Sequence, residues 1–323
     1  MGVWSAIVRE LEAGGTPVMA TISAVDGSSP REAGARLVLT AQGFTGTIGG
    51  GALEWQALAR AQALARRGGF ALARERFALG PALGQCCGGA VEITFEAFGA
   101  EALATAHDFA SREAQGPFVT SGAIAADRIV RQVVAAGDGP PFVRNGANVT
   151  ERFGEALTPV LLFGAGHVGR ALVLALAPLP FAVRWIDSRP GAFPAAVPAR
   201  VVTVAPDDPV AELAAAPEGA LVLVMTHSHA LDYAIVEAAL AARRFAYVGV
   251  IGSATKRARF ESRLRQAGVD AARVARLVCP IGANGLASKL PAAIAASVAV
   301  ELLIAQERRS VAVAPAQART AAP

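Results

Sequence analysis

Residues 159–177 read PVLLFGAGHVGRALVLALA. A short apolar run ends at Phe163, glycines follow at 164, 166 and 169, and an apolar helical pattern takes over. This is G-x-G-x-x-G set between a strand and a helix, the context that gives the pattern weight. Gly164 allows the tight turn, Gly166 lets a pyrophosphate approach the backbone, and Gly169 lets helix and strand pack closely. The helix start offers N–H donors and partial positive charge to an anion. Asp187 ends the next apolar run, FAVRWIDS (181–188), where it would accept from a ribose hydroxyl. Two readings stand here: a Rossmann fold that binds a dinucleotide, NAD(P), and a Rossmann scaffold that has lost it.

Downstream, ARVVTVA (199–205), GALVLVMT (219–226) and FAYVGVIG (245–252) are further apolar strands, separated by helical stretches at 209–216 and 231–243. Apolar strands without alternation indicate a parallel sheet covered on both faces. THSHALD (226–232) ends one of them, so His227, His229 and Asp232 fall at the carboxyl edge where such sheets bind ligands. Ligand contact or a structural turn with a histidine capping the next helix outweighs metal binding, because two histidines alone do not fill a zinc site. Residues 292–306 read as a closing helix, and the Ala/Pro-rich stretch 310–323 as a disordered tail.

Upstream the pattern is mixed. After a helix carrying Val3, Trp4, Ile7, Val8 and Leu11 at helical spacing come strands at 17–27, 35–43, 71–79 and 90–98, then a helix near 100–114. GTIGGGALE (46–54) runs Gly49, Gly50 and Gly51 into a helix, either as an anion nest or as a tight loop packed on backbone. Glu54 falls in the first helical turn, where its charge suits the dipole. GQCCGG (84–89) sets Cys86 and Cys87 side by side on a glycine hinge. Adjacent strand residues point to opposite faces, so the two thiols should not act as a pair. A thiol in such a loop can become a nucleophile or soft-metal ligand, whereas Cys279 reads as a small buried residue.

These blocks give an α/β chain. A mixed α+β domain at 1–115 is followed by a connecting region at 116–157, rich in Gly, Pro and Asn. A Rossmann-like doubly wound parallel-sheet domain spans 158–309. The length of 323 residues suits two domains, and 53% hydrophobic against 17% charged residues supports real cores. A net charge of +4, with basic residues interleaved among acids, gives no nucleic-acid stripe. No apolar run approaches the roughly 20 residues that span a bilayer. The N-terminal stretch lacks a secretory pattern, and three cysteines make no disulfide framework, so a reducing cytoplasm is expected.

The motifs DGSSPREAGARLVL, GTIGGGALE, the cysteine loop, FGAGHVG, THSHALD, YVGVIGSATKRARF and CPIGANGLASKLPAAIAASVAVELL occur in this order. In that order, over residues 3–305, the chain resembles the XdhC family, accessory proteins of xanthine dehydrogenase and related molybdenum hydroxylases. The resemblance implies a chaperone of the molybdenum cofactor (molybdopterin) and not an enzyme. Such a protein carries the cofactor, supports its sulfuration by a cysteine desulfurase, and delivers it to apo xanthine dehydrogenase. Homodimerisation would suit a handover protein with exposed apolar loops. Carried over, the cofactor-binding positions are Gly49, Gly50, Gly51, Glu54, Cys86, Cys87, Gly88 and Gly89, with Gly164, Gly166, His167, Gly169, Asp187, Arg189, Thr226, His227, His229 and Asp232. The resemblance implies Cys86 and Cys87 as candidate molybdenum contacts, with Cys87, next to Gly88, favoured. Many relatives carry one cysteine there, and GANGLASKLP with Lys289 departs from the family's final loop. The rival reading is an NAD(P)-dependent oxidoreductase. A metal-dependent hydrolase using His227, His229 and Asp232 is a third.

Overall fold

The computed structural model describes residues 2–80, 88–137, 139–282 and 286–313, with side chains described as far as 308. It divides into two compact units, Met1–Ala156 and Leu157–Pro323.

The first unit opens with helix α1 (Val3–Glu12) and strands β1 (Val18–Asp26), β2 (Arg36–Thr40) and β3 (Gly43–Gly46). Helix α2 (Gly51–Ala65), strands β4 (Ala71–Ala78) and β5 (Ala90–Ala97), and helix α3 (Leu103–Gln115) follow. The five strands form one antiparallel sheet in the order β3-β2-β1-β5-β4. Alternation along a strand sends neighbours to opposite faces, and β1 feeds two cores this way. Val18, Ala20 and Ile22 join Leu53, Ala57, Ala61 and Leu64 of α2. Met19 faces the other way, to Trp4, Ile7 and Phe109 of α1 and α3.

Residues 116–157 do not merely connect. They fold as β6 (Phe118–Ile124), β7 (Ile129–Ala136), β8 (Phe142–Asn145) and β9 (Asn148–Phe153), an antiparallel sheet in the order β7-β6-β9-β8 within the first unit. The Gly/Pro/Asn composition that suggested a linker supplies its turns, including the two-residue link from Asn145 to Asn148 through Gly146 at φ 62°. Phe118 and Phe153 pack on Trp4 and Phe109. A buried ionic network joins the sheets. Arg131 Nη2 lies 2.6 Å from Glu96 and its Nε 2.7 Å from Glu151, and Glu151 also meets Arg36 at 3.2 Å. Burial alone would raise the Glu151 carboxyl, but the two guanidinium charges outweigh it and hold the group below its ordinary value.

The second unit is a parallel sheet of β10 (Thr158–Phe163), β11 (Phe181–Ile186), β12 (Val201–Val204), β13 (Leu221–Val224), β14 (Tyr247–Val250) and β15 (Leu277–Val278). Its helices are α4 (His167–Leu176), α5 (His229–Ala241), α6 (Ala254–Gln266), the short α7 (Ala271–Val274) and α8 (Pro291–Val313). The order β12-β11-β10-β13-β14-β15 is the 3-2-1-4-5-6 arrangement of a Rossmann fold, with its reversal point between β10 and β13. Leu161, Phe163, Val222 and Val224 face α5 and α6, while Val160, Leu162, Leu221 and Leu223 face α4 and α8. The sheet is therefore covered on both faces. The helix expected at 209–216 shrinks to a 3-10 turn, Val210–Leu213, because it is confined between Pro209 and Pro217. The closing helix runs on through Val313, past the expected tail boundary at 310, and the residues beyond lie outside the described ones.

Candidate functional site

In the second unit the β10–α4 turn is set by glycine. Gly164 has φ +115°, and a Cβ there would run into the carbonyl of Met225 at the end of β13. A Cβ on Gly169 would strike the carbonyl of Gly164, so the helix seats directly on the turn, and Trp185 Nε1 donates to that same carbonyl at 3.0 Å. Gly166 is the N-cap of α4, which has neither a side-chain cap nor an acidic residue in its first turn. His167 and Arg170 stand exposed on that turn.

Asp187 does not wait for a ribose, as the sequence suggested. Its side chain is only 3% exposed, and all four acceptor positions of its carboxylate are taken. Oδ2 accepts from Ala165 N–H at 2.7 Å and Arg189 Nη2 at 2.7 Å; Oδ1 accepts from Arg189 N–H at 3.0 Å and Arg189 Nε at 2.9 Å. Burial would raise this carboxyl, but the Arg189 guanidinium and the two backbone donors outweigh it and hold the pKa at about 2. Asp187 thus fixes the glycine turn on one side and aims Arg189 on the other. Arg170 is likewise anchored, through Nε to the Ala165 carbonyl at 3.2 Å and Nη2 to the Ala192 carbonyl at 2.8 Å. An open pocket of about 300 Å³ lies between them, lined by Gly166, His167, Arg170, Arg189, Pro190 and Ala192.

The 226–232 segment is built around Asp232, which is buried. Thr226 donates to Asp232 Oδ1 through its N–H at 3.0 Å and its hydroxyl at 2.7 Å. Lys256 Nζ donates to Oδ2 at 2.6 Å and to the Ile251 carbonyl at 2.8 Å. Both oxygens of Asp232 are therefore engaged. Ser228, not a histidine, caps α5 by accepting from Leu231 N–H, which leaves His227 and His229 exposed at the sheet edge. Lys256 was missed by the sequence reading. Its signal was rarity, since it is one of two lysines in the chain and stands just after a strand end.

In the first unit the glycine run carries its own anion. Gly49, Gly50 and Gly51 all have positive φ, at 123°, 74° and 63°. Three donors of the turn meet Glu54: its Oε2 accepts from Ile48 N–H at 3.1 Å, Gly50 N–H at 3.3 Å and the Thr47 hydroxyl at 2.7 Å, while Gly49 N–H donates to Thr47 Oγ1 at 3.1 Å. Gly49 also backs onto Pro30. The tight-loop reading describes this turn, with a reach-back cap as its reason. Cys86 and Cys87 lie outside the described residues. The base of their loop is described: Leu79 N–H donates to the Gly89 carbonyl at 2.8 Å, and a Cβ on Gly89 would strike the backbone of Asp26 and Ser28. Among the described residues nothing lies within 4 Å of a Cβ built on Gly88. Cys279 is buried, and burial pushes its thiol up from the ordinary value.

Among the described residues no three His, Cys, Asp or Glu side chains gather as a metal site, and no helix is long and apolar enough to cross a membrane. The described sites divide between the units: an internally capped glycine turn in the first, and a basic pocket and a buried Thr–Asp–Lys cluster in the second.

Residues 160–302 match the family model described as the XdhC Rossmann domain, and residues 10–77 match that of the XdhC and CoxI family. The fold is similar to that of a Bacillus halodurans protein described as a xanthine dehydrogenase, with 98% of each chain covered, 20% identity and a TM-score of 0.76. At that identity the likeness speaks for the fold. No curated protein matches the sequence.

Proposed function

The chain belongs to the XdhC family, and from that membership we propose that it is an accessory protein of xanthine dehydrogenase maturation that carries the molybdenum cofactor as cargo. On this reading a cysteine desulfurase supplies sulfur, the cofactor is sulfurated while held, and apo xanthine dehydrogenase or a related molybdenum hydroxylase receives it. The chain would act as a carrier, with no catalytic residue of its own.

The supporting observation is the pairing of matches: one family model falls in each unit, so both halves of the chain take part in the resemblance. The described residues suit the cargo unequally. The glycine run at 49–51 does not fit a phosphate, because Ile48 and Gly50 already donate to Glu54. The sequence between Leu79 and Gly89 suits the metal end, since it holds two thiols of soft-ligand chemistry. Molybdenum, when held there, would offer the position at which oxygen is exchanged for sulfur. An oxidoreductase with a tyrosine proton donor would want a free tyrosine hydroxyl at the sheet edge. Both tyrosines of the chain are instead paired with carboxylates, Tyr233 with Glu237 at 3.2 Å and Tyr247 with Glu301 at 3.0 Å.

The test is purification from a host that makes the cofactor, followed by mass spectrometry of the released small molecules and metal analysis. About one cofactor per chain is expected. Cys87→Ala should lower that occupancy at least tenfold and Cys86→Ala less. Full occupancy in the double variant would end the thiol-ligand role, and wild-type protein free of cofactor would end the carrier reading.

A further inference from the structure

The pocket at the β10–α4 turn presents basic side chains that face no acidic one within its lining. Its polar side chains are His167, Arg170 and Arg189, and no acidic side chain is among its described lining residues. The two guanidinium groups are held from behind, Arg189 by Asp187 and Arg170 by the carbonyls of Ala165 and Ala192. Each spends Nε and Nη2 on its anchor. A guanidinium carries five N–H donors, and Nη1 of each has no partner among the described residues. Arg170 is moreover the fourth residue of α4, at the end of a helix whose dipole is positive. Asp187 offsets the charge of Arg189 from behind, where its carboxylate is saturated, so what it leaves unmatched is the charge of Arg170 and of the helix start.

Two anchored guanidinium forks and a helix start with free N–H groups call for a compact dianion with several terminal oxygens. A pyrophosphate diester offers a single charge per phosphorus, and a ribose diol would need the acceptor that Asp187 no longer provides. We infer that this pocket is a phosphomonoester site, with Arg170 and Arg189 as the clamp and Asp187 as the positioning residue for Arg189. A volume of about 300 Å³ suits the phosphoryl end of a larger molecule, not the whole of it. Two sources share that chemistry: the 2′-phosphate of an NADP-type nucleotide and the terminal phosphate of a pterin cofactor. The inference rests on the pocket and does not need the carrier reading.

The experiment is calorimetric titration of the full chain, freed of small molecules, with NADP⁺ and with NAD⁺, beside the cofactor occupancy of the same variants purified from a cofactor-producing host. If the nucleotide is the source, NADP⁺ binds at least tenfold more tightly than NAD⁺. Arg189→Gln and Arg170→Gln then each weaken NADP⁺ at least tenfold, and Arg189→Lys, which keeps the charge without the fork, falls between. If the pterin phosphate is the source, neither nucleotide binds but both Gln variants lose most of their cofactor. Thermal unfolding of each variant checks that it is folded. Equal affinity for NAD⁺ and NADP⁺ overturns the inference. So does the absence of nucleotide binding together with unchanged cofactor occupancy in both variants. Wild-type protein that lacks cofactor but discriminates between the nucleotides would end the carrier reading alone.

Discussion

Helices α2 and α4 begin alike and end up opposite. Each follows a glycine turn, with Gly50 and Gly166 as N-caps and no Ser, Thr, Asp or Asn to cap them. Each carries a charged residue at its fourth position, Glu54 in α2 and Arg170 in α4. In α2 the carboxylate folds back onto Ile48 and Gly50 and satisfies donors that the turn leaves open. In α4 the guanidinium turns to carbonyls and adds positive charge to a helix start that already has it. A glycine run into a helix is thus only a geometry. The sign of the charge one turn later decides whether the anion is supplied by the chain or must come from outside.

The sharpest way to break this comparison is to add a methyl group to each turn. Gly164→Ala puts a Cβ into the Met225 carbonyl at a φ of +115° and should cost at least about 3 kcal/mol in urea unfolding. Gly50→Ala meets no atom within 4 Å among the described residues and pays only for its backbone, φ +74° with ψ −171°, a region kept to glycine, about 1–3 kcal/mol. Equal losses would show that the turn into α4 is not wedged between strands as described.

A smaller effect sharpens the α2 side. Glu54→Ala removes the acceptor for Ile48 and Gly50 and should cost about 1–2 kcal/mol, the range for losing an N-terminal cap. The same change empties the nest for an outside anion. Sulfate should then raise the melting temperature of the variant more than that of the wild type, because an added ligand stabilises what it binds. A sulfate response identical in the two proteins would mean that Glu54 is not the occupant.

The second unit was the more legible of the two for a physical reason. Its strands are buried on both faces, so β10, β11, β13 and β14 read as apolar runs. β7 and β9 escaped because charge sits where apolar side chains would be expected. Arg131 and Glu151 point inward to meet Glu96 and Arg36, partners far away in sequence, and sequence alone makes such residues look like surface. Lys256 was hidden in the same way, its partner Asp232 lying on the preceding helix. The glycines of the β10–α4 turn and Asp187 could be picked out by spacing. The partners of Asp187 could not, since Ala165 contributes only its N–H, and a backbone donor leaves no mark on residue type.

The gentlest perturbation is acid, and it acts on the α4 side through Asp187. Folded, this carboxyl titrates at about 2, against about 3.9 for an unperturbed aspartate. The unfolded chain therefore takes up its proton first as pH falls. The stabilisation is fully present above about pH 4 and drains away as pH drops towards 2. Compared with Asp187→Asn, the wild type should hold a constant advantage of about 1 kcal/mol from pH 7 to 5, allowing for solvent screening near the surface. That advantage should shrink steeply towards pH 2 and vanish below it, as followed by urea unfolding across pH. An advantage that persists unchanged to pH 2 would mean that Asp187 holds the turn by its shape and hydrogen-bonding geometry, and that its charge is not what distinguishes α4 from α2.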